Sequence, residues 1–363
     1  MMSSITLSNP VHSLATKSKQ VYRRINLENT PDILLVSDID HSILPWKDGK
    51  YKVEVDEDTL TNNYRAILDS QNRIFTVLVT GLDLPSVQQM RRHFNNSPIV
   101  DGLSTDNGKG GLFTNNDGIE TTKWLDGIGI KNQSIEWEAF VKEQAGWDQD
   151  LFLKAVFKEL LLNRKLKEVK DSNIKMAYPH YSVYQSQDDT SLDSLPITLI
   201  SGPYESAIYL MKNSNVSDEK TKELGIQIAK DICSNYSKDG NSKIKFKMSE
   251  HDDYYYLFFS PDNGIEIDKA LAMDFIVRQL PDEILENMKA GIAIGDSEND
   301  THLKIESIEL PSKKILPFHA IFSGTDLLGN EDFSKHPRKE ISYLRGNVGR
   351  SIRNVIAKID TNS

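Results

Sequence analysis

The sequence predicts an α/β protein: a parallel sheet with helices on its faces, interrupted by an inserted α+β domain. Three observations point there. Short apolar runs of strand length alternate with helix-like segments near the start of the chain and again near its end, the rhythm of a parallel sheet. Those runs are apolar at successive positions, as strands buried on both faces are. The middle of the 363-residue chain breaks the rhythm, and a chain of this length exceeds one ordinary domain.

The elements follow in order. Residues 1–28 are rich in Ser, Thr and Asn and carry Lys17, Lys19, Arg23 and Arg24 before the first acid, Glu28. That composition suits a flexible N-terminal extension and is shared by organellar transit segments. The extension is the expectation, with a cytoplasmic protein behind it. Ile33 to Ser37 reads as a buried strand stopped by polar residues. Thr59 to Ser70 reads as a helix, Ile74 to Val79 as a second buried strand ending at Thr80-Gly81, and Pro85 to Phe94 as a helix with proline in its first turn. Late in the chain, Lys269 to Leu280 reads as a helix, and Gly291 to Ile294 as an apolar strand running into "GDSEND". A strand within Ile315 to Phe322 and a helix ending the stretch Tyr343 to Ile359 complete the second half. Between them, Trp124 to Lys167 is charged and helix-rich. Ile174 to Ser186, Ile197 to Ser201 and Lys243 to Phe259 read as strands, and Ser206 to Lys212 and Thr221 to Tyr236 as helices. The expected division is an extension at 1–28, a core domain from 29–120 and 261–363, and an inserted domain at 121–260.

Composition narrows the function. Asp and Glu number 53 against 43 Lys and Arg, a formal charge of −10. General nucleic-acid binding rests on clustered cations, so no nucleic-acid partner is expected. No run is long and apolar enough to span a bilayer, and no membrane partner is expected either. The single cysteine, Cys233, excludes an internal disulfide and a multi-cysteine zinc site. An anionic ligand would have to be held locally, by a metal, a few cations or helix N-termini.

Four features line up on the strand–helix frame. Asp38 and Asp40 close the first strand in "DIDHS"; Thr80 and Gly81 close the second; Lys269 opens a late helix; Asp296, Asn299 and Asp300 follow a later strand in "GDSEND". Singly, each has a plain reading as a turn, a helix cap or a solvated lysine. Together they fall at the carboxyl ends of parallel strands, where ligands of such sheets gather.

In this order the residues resemble the haloacid dehalogenase-like phosphohydrolases, in the subgroup with a large α/β cap that includes sucrose-phosphate phosphatases and related sugar phosphatases. "DIDHS" is similar to the family's first motif, Thr80 to the second, Lys269 to the third and "GDSEND" to the fourth; "STDNGKG", Ser104 to Gly110, is similar to the subgroup's Asn-Gly hairpin. The resemblance implies a three-layer, Rossmann-like core with an α+β cap. It implies a Mg²⁺-dependent phosphoric monoester hydrolase acting on a sugar phosphate, a disaccharide phosphate included, as a monomer or small homo-oligomer. Asp38 is then the nucleophile and Asp40 the acid/base. Thr80, Gly81, Lys269 and Asn299 bind phosphate. Asp38, Asp40, Asp296 and Asp300 serve the metal, and Ser42 supports the loop. Three departures stand out: Leu82 where the subgroup often has Arg, His41 where the family usually has Gly or Asn, and a long approach to Lys269 that leaves Lys289 as an alternative. Two other readings share much of this pattern: a non-catalytic relative that binds a sugar phosphate or a protein, and a phosphomutase or phosphotransferase.

Overall fold

The structure is a computed structural model. It describes residues 31–39, 42–43, 66–67, 70, 73–85, 87, 102–114, 135–169, 181–186, 198–201, 206–213, 215–240, 242–280, 282–296, 300–310, 312–322, 342–343 and 348–362. Asp40, His41 and Asn299 lie outside them, as does most of the expected helix at 59–70. Two compact units separate. One takes the chain up to Gly81, Val87–Trp137, and from Asp268 on; the other takes Leu82–Ser86 and Glu138–Ile267.

The first unit opens with β1 (Ile33–Ser37), β2 (Ile74–Val79), β3 (Gly102–Thr105) and β4 (Gly111–Thr114). The second begins within α1 (Ile135–Ala139), which runs on as a π-helical turn over Phe140–Gln144. It continues with α2 (Gln149–Phe157), β5 (Lys167–Val169), β6 (Ser182–Gln185), β7 (Thr198–Ser201) and β8 (Ala207–Met211). It closes with α3 (Asp218–Asp239), β9 (Ile244–Glu250) and β10 (Tyr254–Pro261). The chain then returns to the first unit with α4 (Lys269–Gln279), α5 (Asp282–Asn287), β11 (Ala290–Gly295), β12 (Ser307–Glu309), β13 (Ile315–Phe322), β14 (Ser342–Tyr343) and α6 (Val348–Asn362).

The sheet of the first unit runs β12-β13-β11-β1-β2-β3-β4, with β14 also on β13. Pairings β13–β11, β11–β1, β1–β2 and β2–β3 are parallel; β12 and β4 are antiparallel additions. Every residue of β1, β2 and β11 is buried, so both faces of the sheet are covered, as the unbroken apolar runs require. Close packing fixes some positions as glycine: the Phe318 ring lies where a Cβ of Gly291 would stand. Helix α4 starts at Asp268, whose carboxylate accepts from the Leu271 N–H at 2.8 Å. Its Phe275 meets Trp137 edge-on at 4.9 Å, and its Ile276 lies against Gly102. The strand order reverses at β1: β2 lies on one side, β11 from the far end of the chain on the other. A crevice at the carboxyl ends of two such strands is where open α/β sheets hold ligands.

The second unit has its own antiparallel sheet, β5-β6-β7-β8-β10-β9. Strand β10 alternates, with Tyr255, Leu257 and Phe259 inward. Helix α3 buries Thr221, Gly225, Ile228, Ala229, Ile232 and Tyr236, spacings that place them on one face. Gly225 brings α3 close to the sheet, since a Cβ there would stand 3.1 Å from Leu210. Trp147 is buried against Phe152 and Tyr236, and Trp137 is buried in the first unit, so both indoles fill cores.

The expectation of a helix at Ser206 to Lys212 is wrong: Ala207–Met211 is strand β8, paired with β7 and β10. A five-residue apolar run has no decisive period. Its Ile208 and Tyr209 suit a strand, and the sheet on both sides supplies the pairing.

Candidate active site

Strand β1 delivers Asp38 one residue past its last pleat, and the ladder holds it there: the Asp38 N–H donates to the Ile294 carbonyl of β11 at 2.9 Å. The Ser37 hydroxyl donates to the Asp38 carbonyl at 2.6 Å. Asp38 is 4% exposed. From the first turn of α4, the Lys269 ammonium, itself 1% exposed, reaches Asp38 Oδ1 at 2.9 Å and Asp300 Oδ1 at 2.6 Å. Burial works against this charge, but Asp300 and Asp38 outweigh it and hold the ammonium protonated well above the usual lysine range. The alternative, Lys289, is near neither: its N–H and ammonium go to Asp32 at the other end of β1.

The "GDSEND" segment folds back on itself. Asp300 Oδ2 accepts from the Asp296 N–H at 2.7 Å, and its carboxylate lies over Gly295, where a Cβ would stand 2.5 Å from Oδ2. The glycine before the first acid is therefore a seat for the last one. Oxygens of Asp38, Asp296 and Asp300 come within 4.8 Å of one another. Among the described residues, Lys269 pairs with Asp38 and Asp300 while Asp296 adds a third carboxylate to the cluster, and hard oxygen donors in excess of positive charge are the donor set that suits Mg²⁺.

Two neighbours went unnoticed in the sequence. His302 is fully buried, and its Nε2–H, the tautomer that the geometry requires, donates to the Ile294 carbonyl at 2.9 Å. Burial pushes its pKa down to about 4, so the ring is neutral and serves as a prop on the carbonyl that also anchors Asp38. The Thr301 hydroxyl accepts from the Ala270 N–H at 3.1 Å, tying the start of α4 to the segment after Asp300. Only their place beside the acidic motif could have marked them.

Thr80 closes β2, the next strand over, and is fully buried. Its N–H donates to the Ser104 carbonyl at 3.0 Å and its carbonyl accepts from the Asn107 N–H at 2.9 Å. Gly81 follows, partly exposed. The hairpin between β3 and β4 carries Asp106, Asn107 and Gly108 in left-handed conformations, and the Trp137 Nε1–H donates to the Gly108 carbonyl at 2.7 Å. Ser42 is 2% exposed in the turn after Asp38, where the Ile43 N–H donates to the Ile39 carbonyl at 3.1 Å. The structure thus brings Asp38, Lys269, Asp296 and Asp300 together and sets Thr80 on the adjoining strand end. Asp40 and Asn299 lie outside the described residues.

What fold and site define is a parallel α/β domain with a buried carboxylate–lysine cluster at its strand-order reversal. The chain is similar to several solved structures. One is a haloacid dehalogenase-like hydrolase protein from Bacillus subtilis (16% identity, 91% of this chain and 92% of that one, TM-score 0.42). Another is the trehalose-6-phosphate phosphatase of Aspergillus fumigatus (12% identity, 98% and 99%, TM-score 0.41). A third is the C-terminal domain of trehalose-6-phosphate phosphatase from C. albicans (10% identity, 97% and 97%, TM-score 0.43). No family model and no curated protein matches the sequence. Among the described residues no helix is long and apolar enough to cross a membrane.

Proposed function

We propose that this protein is a Mg²⁺-dependent sugar-phosphate phosphatase that works through an aspartyl-phosphate. The observation that carries the reading is the cluster of Asp38, Lys269, Asp300 and Asp296 at the carboxyl ends of β1 and β11. Phosphate monoesters are anionic and hydrolyse very slowly unaided, so a site must offset charge and hold an in-line attack. Asp38, paired with the Lys269 ammonium at 2.9 Å, attacks phosphorus; the bond to the sugar oxygen breaks, and that oxygen takes a proton from Asp40. Water then attacks the acyl phosphate while Asp40 takes back a proton, releasing phosphate and restoring the Asp38 carboxylate. Thr80, Gly81 and Asn299 hydrogen-bond the phosphoryl oxygens. Asp38 and Asp296, with the Asp40 carbonyl and support from Asp300, would hold Mg²⁺, which supplies positive charge against the phosphoryl group and its attacking carboxylate. The unit at 138–267 acts as the cap that selects the sugar; the sugar-phosphate class itself rests on the likeness of the motifs to sucrose-phosphate phosphatases and their relatives.

The test is phosphate release from a panel of mono- and disaccharide phosphates, with Mg²⁺ and with EDTA, for the wild type and Asp38→Asn. Release that requires Mg²⁺ and falls by at least roughly a thousandfold in Asp38→Asn is expected. Undiminished release in Asp38→Asn would remove Asp38 as nucleophile, and phosphoryl transfer to a second sugar would mark a phosphomutase.

A further inference from the structure

We propose that Thr301 and His302, the two residues after Asp300, are positioning residues for the reaction: they fasten the elements that carry Lys269 and Asp38 to the turn that carries Asp300. This rests on the phosphatase reading above. The three charged groups come from three parts of the chain. β1 ends beside Asp38, α4 begins at Lys269, and Asp300 follows β11. The Lys269 ammonium bonds both acids, at 2.6 Å to Asp300 and 2.9 Å to Asp38. A small shift of any of the three lengthens one of these contacts, and in-line attack depends on where the Asp38 oxygen stands. The ion pairs alone cannot fix that place, because the lysine stem is flexible. The backbone has to hold the three ends.

Thr301 supplies one tie. The first turn of a helix leaves N–H groups with no partner inside the helix. In α4 the Asp268 carboxylate takes that of Leu271, and the hydroxyl of Thr301, 31 residues beyond Ala270, takes that of Ala270 at 3.1 Å. Ala270 adjoins Lys269, so this bond sets the start of α4 against the residue next to Asp300. His302 supplies the other tie. Its Nε2–H donates to the Ile294 carbonyl at 2.9 Å, and the same carbonyl accepts from the Asp38 N–H at 2.9 Å. One oxygen thus carries both the backbone of the nucleophile and the ring two residues past Asp300. The Leu303 N–H closes the turn on the Asp300 carbonyl at 2.9 Å, which leaves little slack between Asp300 and either tie. His302 is fully buried and its Nδ1 is enclosed without a hydrogen-bond partner. An apolar side chain would fill that place with no unpaired atom. What the imidazole adds is the bond to Ile294.

Thr301→Val and His302→Met stay close in size and remove the bonding group; Thr301→Ser and His302→Gln keep it. kcat and KM for p-nitrophenyl phosphate with Mg²⁺ are measured for the wild type and the four variants. Melting curves check folding, and calorimetry reads Mg²⁺ affinity. The expected result is a roughly tenfold or greater fall in kcat in Thr301→Val and His302→Met with little change in KM, and about a tenfold loss of Mg²⁺ affinity. Thr301→Ser and His302→Gln should stay within about threefold of wild type in each quantity. A packing role alone would lower the melting temperature and leave kcat per folded molecule and Mg²⁺ affinity unchanged, and that result overturns the proposal. So does an equal loss in the conservative and the apolar variants. If one apolar variant does not fold, the other decides; if neither folds, the two residues belong to the core and the proposal is overturned. A wild type that releases no phosphate, with Mg²⁺ affinity that falls in the apolar variants, overturns the phosphatase reading alone. A wild type that neither binds Mg²⁺ nor releases phosphate overturns both.

Discussion

Gly295 shows how one atom can decide the chemistry. The Asp300 carboxylate occupies the volume a side chain at 295 would need, and that carboxylate in turn orients Lys269 and accepts from the Asp296 N–H. Gly295→Ala should therefore destabilise the protein by about 1–3 kcal/mol and displace Asp300 from Lys269. Urea unfolding reads the first effect and phosphate release the second, and a variant of wild-type stability and rate would show that the segment relaxes freely. At this scale the acids were legible because two carboxylates and an amide after an apolar strand are conspicuous. His302 was not. A histidine that props a carbonyl looks like any other until its burial singles it out.

Elements were readable where one local signal sufficed. β1, β2 and β11 are unbroken apolar runs with abrupt polar ends, and α4 begins at an aspartate cap. β8 was misread because its identity comes from the strands beside it, which no local pattern contains. Helix α2 offers a test of a local device. Its cap, Asp148, accepts from the Leu151 N–H at 3.1 Å and pairs with Lys142 at 2.9 Å. Burial would raise its pKa, but the Lys142 hydrogen bond and the Leu151 N–H outweigh it and set the carboxyl below its ordinary value. A depressed carboxylate stabilises the fold above its unfolded pKa, and that stabilisation disappears as pH falls through the folded one. Asp148→Ala should cost about 1 kcal/mol at neutral pH. Thermal melts of wild type and variant should converge as the pH drops below the ordinary carboxylate range, and a gap independent of pH would sink the idea.

Across the whole chain, chemistry and anchorage occupy opposite ends of one sheet. Arg73, at the entry to β2, bonds Asp32 through Nε and Nη2 at 3.0 and 2.9 Å and Asp360 of α6 through Nη1 and Nη2 at 3.1 and 2.8 Å. Arg73→Gln should lower stability by about 1 kcal/mol, read as a small drop in melting temperature, while phosphate release per folded molecule stays unchanged. A loss of rate at unchanged folding would mean that the two ends are coupled. The reversal of strand order at β1 has another consequence, for synthesis. Ile33 pairs with Ile74 on one side and with Ala290 on the other. During translation at about 5–20 residues per second, β1 gains β2 within seconds but waits roughly 10–50 s for β11. For that interval the nascent chain displays an apolar strand with one open edge, the form most prone to pairing with a stranger. Lys269 and Asp300 arrive equally late. The ribosome has thus made most of the polypeptide before the Asp38–Lys269–Asp300 cluster can assemble, and a chain cut short before residue 290 should keep that edge open and lack Asp300.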